Sequence, residues 1–192
     1  MVTKGLRITV GAILLTGVAS HAVARQDDLA AAKELYRAAS FTAALARFES
    51  LRSGTSTASA DTREIERYRA FCLIALDRIP EAASGIEAII VADPTYVPGE
   101  TDVSPRVRAV FHEIRPRVLP GIARDTYAAA RSAFDRKEYS AAAVQFERTQ
   151  ALLEDADMTA SSTAGESAAT DLAVLTPGFL ELSRALAGAS QR

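Results

Sequence analysis

The chain has few of the residues that carry most disulfide, metal and catalytic chemistry. Its 192 residues contain one cysteine, two histidines and two methionines, and they contain no tryptophan and no asparagine. A single cysteine excludes an internal disulfide. That cysteine, Cys72, lies in the apolar run 70–76, where we expect a buried and inert thiol rather than a nucleophile.

The first 24 residues have the pattern of a secretory signal peptide. Lys4 and Arg7 form a short basic start, an apolar run follows over 8–18, and Ala22-Val23-Ala24 is a small-residue cleavage pattern. We therefore expect cleavage after Ala24 and a periplasmic or secreted protein. The alternative is an uncleaved leader anchored in the inner membrane, because residues 8–24 carry no charge when His21 is neutral. In length, this uncharged stretch is at the lower limit for crossing a bilayer.

The mature chain shows no arrangement of residues typical of catalysis or of nucleic-acid binding. Residues 25–192 contain four more acidic than basic side chains, whereas phosphate binding needs a concentrated basic surface. His112 is the only histidine left after the leader, so a histidine-paired metal site is excluded. There is no glycine-rich phosphate loop and no nucleophile elbow. We expect no enzyme, no cofactor and no metal, and we keep an enzyme of unknown chemistry as a third hypothesis.

Three stretches of the sequence superimpose without gaps. Each has a small residue, an apolar residue four later, a large apolar residue five after that, an alanine three on and a large apolar residue four on. This spacing is typical of two short helices packed antiparallel. The repeat-core positions are Ala32, Tyr36, Phe41, Ala44 and Phe48; Ala70, Ile74, Ile79, Ala82 and Ile86; and Ala130, Phe134, Tyr139, Ala142 and Phe146.

Helical periodicity covers almost all of the mature chain, so we expect an all-α protein in which antiparallel helix pairs stack as a short α-solenoid. The repeat domain is predicted over 25–157, with units at about 28–52, 62–94 and 122–153. Asp28 begins the first helix in this interpretation.

An insertion separates the second unit from the third. We use the first large apolar residue after the two opening positions of the pattern as a marker of each unit; it is Phe41, Ile79 and Tyr139 in turn. The interval from Ile79 to Tyr139 is much longer than the interval from Phe41 to Ile79. We expect an extra helix over 104–119 with Ser104 as its N-cap, and Pro116 should kink or end it. Pro120-Gly121 predicts a second break.

The C-terminal part changes in composition. Residues 158–170 are mostly Ser, Thr, Ala and Gly, which predicts a flexible linker. Residues 171–188 recover a helical pattern and are predicted to form a capping helix over the open end of the stack. A loosely packed tail is the alternative.

The three units resemble tetratricopeptide repeats, and the second unit ends in the Asp93-Pro94 expected of that consensus. The chain departs from the family because it lacks the usual tryptophan and the first-helix glycine, and because its unit spacing is longer. The absence of asparagine excludes the asparagine clamp with which one family variant holds a peptide C-terminus. Residues 26–186 also resemble exported repeat modules of bacterial cell-envelope proteins, including the N-terminal part of TonB-type energy transducers. That second resemblance rests on segments 92–96, 104–108, 115–120, 127–130 and 134–137.

The resemblance implies that the protein binds another protein or a peptide segment. In such repeats the first helix of each unit lines a concave surface, and Arg and Tyr supply much interface energy there. An extended, acidic or C-terminal peptide would suit this set, although solvated helix faces explain the residues equally well. A membrane-tethered spacer of an envelope machine is the alternative function. The outward positions are Leu29, Lys33, Arg37, Arg67, Tyr127, Arg131 and Asp135.

Overall fold

The computed structural model describes residues 17–53, 60–159 and 166–190, and within these ranges the chain is all-helical without a strand. The all-α class predicted from the sequence is therefore confirmed for the described residues. The apolar run of the leader up to residue 16, and residues 160–165 of the predicted linker, lie outside them. The helices are α1 Gly17–Arg37, α2 Phe41–Ser53, α3 Ala60–Ala75, α4 Ile79–Ala92, α5 Pro105–Asp135, α6 Tyr139–Leu153, α7 Ala156–Thr159 and α8 Glu166–Ser190.

The chain divides into two compact units, Met1–Tyr68 and Arg69–Arg192, at a boundary inside α3. In the first unit α1 packs against α2, and Ala32, Ala44 and Phe48 are fully buried. Tyr68 stacks on Phe48 at 5.5 Å between ring centroids and meets Tyr36 edge-on at 5.3 Å. These aromatic contacts fix the first part of α3 against the α1–α2 pair.

In the second unit α5 is the central helix, and it packs against α4, α6, α7 and α8. Its buried positions recur at helical spacing, from Val107 through Phe111, Ile114 and Leu119 to Ala130. Phe111 meets Tyr96 edge-on at 6.0 Å. A helix with a long apolar face can hold several neighbours at once.

The chain reverses through the same turn at the end of α1, α3 and α5. Ala39, Asp77 and Lys137 each adopt a left-handed backbone, with φ of 56°, 63° and 64°. The residue after each of them donates its backbone N–H to the carbonyl five positions back, at 2.9, 2.8 and 2.9 Å. This is the Schellman ending of a helix. The three turns recur at the same unequal intervals as the sequence repeats, since each lies two positions before the large apolar marker of its unit.

The repeat-core positions divide into two groups in the structure. Ten are buried, and the other five, Tyr36, Phe41, Ile79, Phe134 and Tyr139, are half-buried. Tyr36 and Phe41 meet edge-on at 5.6 Å, and the equivalent rings of Phe134 and Tyr139 meet edge-on at 5.4 Å. The five half-buried positions therefore cover the turns rather than fill the core.

The predicted break between the inserted helix and the third unit is wrong. The helix predicted over 104–119 and the start of the third unit, predicted from about 122, belong to one 31-residue helix, α5, which contains Pro116 and Pro120. Ser104 is its N-cap, as predicted, and accepts a hydrogen bond from the Val107 N–H. A proline inside a helix costs about 3 kcal/mol, and burial of residues on both sides, such as Ile114 and Leu119, offsets that cost.

Two further boundaries differ from the sequence prediction. α1 begins at Gly17 rather than at Asp28, so it runs through the expected cleavage point after Ala24. The ends of the predicted linker are helical, because α7 covers Ala156–Thr159 and α8 begins at Glu166. Pro177-Gly178 does not interrupt α8. Alanine-rich sequence favours helix strongly enough to extend it over small polar residues.

Candidate binding surface

One face of α1 carries a shallow depression of about 300 Å³. Its lining residues recur every three or four positions as Gln26, then Leu29 and Ala30, then Lys33 and Glu34, then Arg37, so they share one side of the helix. Leu29, Lys33 and Arg37, which the sequence places on the concave side of the first unit, are among them. The outward position expected for Leu29 is wrong, because its side chain is buried in the core of the first unit.

The two cations of this depression differ in how firmly they are held. The Lys33 ammonium pairs with Glu64 of α3 and lies 5.5 Å from the centre of the Tyr68 ring. Arg37 pairs with Glu34 one turn back on the same helix, and both side chains are largely exposed. Exposed pairs of this kind contribute little to stability. Arg37 can therefore exchange its partner at small cost, whereas Lys33 is tied to the protein.

Arg67 also belongs to the predicted set, and it lies half-buried on α3 in the first unit. Two other exposed arginines of this unit, Arg47 and Arg52, pair with acids at longer distances. Arg47 of α2 lies 3.8 Å from Asp28. Arg47 is outside the depression but is exposed to nearly the same degree as Arg37, at 58% against 60%.

The candidate positions of the third unit do not form an open surface. Tyr127 packs edge-on against Phe146 of α6 at 5.6 Å. The Arg131 guanidinium lies 4.1 Å above the ring of Phe179, which belongs to α8. Asp135 is exposed and lies 3.6 Å from Arg131. The C-terminal helix of the same chain thus occupies the face of α5 that the sequence interpretation assigned to a partner.

A buried arginine forms a polar site in the second unit, and sequence reasoning missed it. Arg115 of α5 has no exposed surface. It donates to Asp155 and Asp157, each at 2.6 Å. It also donates to the carbonyls of Pro94 and Tyr96, at 2.8 and 3.0 Å. Four acceptors satisfy the guanidinium in place of water.

Asp155 and Asp157 are therefore held by Arg115 rather than left to solvent. Asp157 also lies within hydrogen-bond distance of His112, with 3.0 Å between Oδ1 and Nδ1. Burial alone would raise the pKa of Asp157, but the hydrogen bonds from His112 and Arg115 outweigh burial and hold that pKa below its usual range. The only sequence signal was an arginine at a position of the helical stripe where an apolar residue is expected.

This polar site has the features of a structural clamp. Arg115 joins α5 to the segment after α4 and to the segment between α6 and α7. In the described part of the chain no group of three or more His, Cys, Asp or Glu side chains is arranged to hold a metal ion. The Cys72 thiol is fully buried, and desolvation raises its pKa to about 12, which keeps it protonated at neutral pH.

Comparison of the chain with protein-family models, with curated proteins and with solved structures yields no significant match. Within residues 17–53, 60–159 and 166–190, no helix combines the length and the apolar character needed to cross a membrane.

Proposed function

We propose that this chain is a non-enzymatic protein-binding scaffold of the bacterial cell envelope, built from tetratricopeptide-like helix pairs. The observation that carries the proposal is the repetition of one helix ending at Ala39, Asp77 and Lys137, at the intervals of the sequence repeat. Repeated helix pairs of this kind act as binding surfaces far more often than as catalysts. The exported location follows from the leader pattern of residues 1–24.

The depression on α1 supports a specific place for the partner. The exposed Ala30 offers apolar contact there, and Arg37 offers an exchangeable cation. The partner is an extended segment that carries a carboxylate, either an acidic side chain or a chain terminus. Binding would replace the Glu34 carboxylate on Arg37 with that of the partner, which forms a bidentate pair more readily than a constrained neighbour on the same helix.

A photo-crosslinking experiment in cells tests this assignment. A photoreactive residue placed at Ala30 should give a discrete adduct with a partner protein, and one placed at the exposed Ala43 of α2 should not. Arg37→Ala should reduce the adduct at least fivefold. Arg47→Ala is the matched control, because it removes an arginine of the same exposure outside the depression. An adduct that is equally strong in all these variants would contradict the α1 site.

A second candidate function is a membrane-tethered spacer of an envelope machine. It is favoured by α1, which runs without interruption from Gly17 across the expected cleavage point to Arg37. A continuous helix would transmit force from a retained leader to the repeats. Mass spectrometry of the protein from cells distinguishes the two, since a mature N-terminus at Arg25 excludes the tether.

A further inference from the structure

Arg25 of α1 has two hydrogen-bond donors that are shielded from solvent and have no acceptor among the residues that the structure describes. They are Nε and Nη2, which lie on one edge of the guanidinium and together match the two oxygens of a carboxylate. The residue as a whole is half-buried, so part of its side chain reaches the surface. A desolvated charge without a partner is costly, and native proteins normally supply an acceptor for it.

Another arginine of this chain uses the same two nitrogens to bind a carboxylate. Arg78 donates from Nε and Nη2 to the two carboxylate oxygens of Glu81, at 2.7 and 2.6 Å. The acid that lies nearly one turn after Arg25 on α1 is Asp28, and it lies 3.8 Å from Arg47 instead. The shielded edge of Arg25 therefore has the geometry of a carboxylate site, and no acid of the described residues occupies it.

Arg25 also continues a row of side chains that runs along the α1 depression. The members of the row are four positions apart and so form one ridge on the helix surface: Arg25, Leu29, Lys33 and Arg37. All of them except Arg25 line the depression, which extends to Gln26. Arg25 thus adjoins the depression at the end opposite to Arg37.

We propose that Arg25 is a second carboxylate-binding position for the partner of the α1 depression, so that Arg25 holds one acid of the partner and Arg37 holds another. This inference rests on the proposed function, in which Arg37 is the first such position. The two arginines lie twelve positions apart, which is about 18 Å along the helix axis.

That distance sets the sequence of the partner. An extended segment rises about 3.3 Å per residue, so two acids five or six positions apart span the distance between the arginines. The residues between the two acids lie against the exposed Ala30 and are small or apolar. The partner is therefore a segment with two acidic side chains at this spacing rather than a segment with a single carboxylate.

The two positions differ in what binding changes. Arg37 exchanges one carboxylate for another, because it pairs with Glu34 in the free protein. Arg25 gains acceptors for two donors that have none in the described structure. Because Arg25 is half-buried rather than enclosed, rotation of its guanidinium can turn the shielded edge towards an arriving segment. Binding at Arg25 therefore displaces no acid of the chain.

A series of peptides with different spacings tests the proposal. The probes have a glutamate at each end, between one and eight alanines in the middle, and acetylated and amidated termini. Their affinity for the purified full chain is measured by NMR titration. Peptides with four or five alanines should bind about threefold or more tightly than the peptide with one, because reaching both arginines adds a contact at high effective concentration.

Substitutions identify the second position. Arg25→Met should remove the optimum in spacing and leave the affinity of the shortest peptide unchanged. Arg25→Lys keeps the charge but not the two-donor edge, so the optimum should weaken. Arg124→Met is the matched control, because it removes an exposed arginine of α5 in the second unit, and the optimum should persist.

The outcomes separate this inference from the proposed function. Binding that is lost in Arg37→Ala but has no optimum in spacing would overturn the second position and leave the α1 site in place. An optimum that survives Arg25→Met would do the same. Peptide binding that does not respond to Arg37→Ala would contradict the α1 site itself and overturn both.

Thermal melting distinguishes a binding role of Arg25 from a structural one. Arg25→Met should not lower the melting temperature, because the substitution removes a shielded charge that has no acceptor among the described residues. A melting temperature that falls by more than about 3 °C would show that the folded protein itself holds the guanidinium, and it would overturn the proposal.

Discussion

Arg115 donates from Nε to Oδ2 of Asp157 over 2.6 Å and so joins two residues that are distant in the chain. The same guanidinium binds the carbonyls of Pro94 and Tyr96. The first half of α5 lies in the insertion between the second and third sequence repeats. Arg115 therefore fixes that insertion to the segment after α4 and to the segment between α6 and α7. This explains how a helix that contains Pro116 directly beside Arg115 can remain continuous.

Arg115→Met should destabilise the second unit by about 3 kcal/mol, because it leaves two acids and two carbonyls without their donor while keeping much of the volume of the side chain. Urea denaturation followed by circular dichroism measures the change. Arg117→Ala is the control, since Arg117 forms an exposed pair with Glu113 on the same helix and should cost less than about 0.5 kcal/mol. A loss below about 1 kcal/mol for Arg115→Met would contradict the clamp.

Asp157 should make the protein less stable in acid. Its pKa is held below the usual range in the folded state, so its contribution to the free energy of unfolding is fully present above its unfolded pKa of about 3.9 and is lost as the pH falls through the lower, folded pKa. The stability difference between the wild type and Asp157→Asn should thus be constant above about pH 5 and shrink below about pH 4. Urea midpoints measured from neutral pH down into this acid range test it.

The same series in the Arg115→Met background is the control for this pH dependence. Without Arg115 one of the two hydrogen-bond donors that lower the pKa of Asp157 is gone, and the difference should vary less with pH. An unchanged pH dependence would assign the effect to another group.

The helical class and the spacing of the turns could be predicted from the sequence because both depend on local periodicity. The unequal intervals of the sequence repeat recur in the backbone at Ala39, Asp77 and Lys137. The continuity of α5 could not be predicted, because the cost of Pro116 is local whereas the packing that offsets it comes from residues distant in sequence.

The candidate surface was predictable only in part, for the same physical reason. Leu29, Lys33 and Arg37 share one face of a single helix, so their spacing is enough to place them together at the α1 depression. Whether Tyr127 and Arg131 are open depends on α8, whose docking is a long-range contact that spacing does not report. Arg115 illustrates the converse case, since a charge on an apolar stripe was visible in the sequence but its acceptors were not.

Glycine should stabilise the protein at two of the three repeated turns. Ala39 and Lys137 hold left-handed backbones that cost a side chain-bearing residue about 1 kcal/mol or more relative to glycine. Ala39→Gly and Lys137→Gly should each raise the melting temperature by about 2–4 °C. Ala31→Gly, at an exposed position inside α1, should lower it instead. Melting temperatures that fall in all three variants would contradict the turn geometry. Asp77 is unsuitable for this comparison because it also pairs with Arg106.

Phe179 should anchor α8 to α5 and α6. Its ring stacks on Phe146 at 5.6 Å, meets Phe134 edge-on at 5.6 Å and lies beneath the Arg131 guanidinium. Phe179→Ala should cost about 3 kcal/mol and increase amide hydrogen exchange in α8 and α6, with little change in α1 and α2. Hydrogen exchange followed by mass spectrometry measures both.

Arg131→Ala should act in the same direction as Phe179→Ala but more weakly, by about 1 kcal/mol, because it removes only the cation from the ring face. This distinguishes a packing role from the partner-binding role that the sequence suggested for Arg131. If Arg131→Ala left hydrogen exchange in α8 unchanged but reduced capture of the crosslinked partner, the face of α5 would be open to a partner and α8 would not be its permanent cover. If exchange rises while capture through α1 is unchanged, binding belongs to the first unit and the α5–α6–α8 cluster is structural.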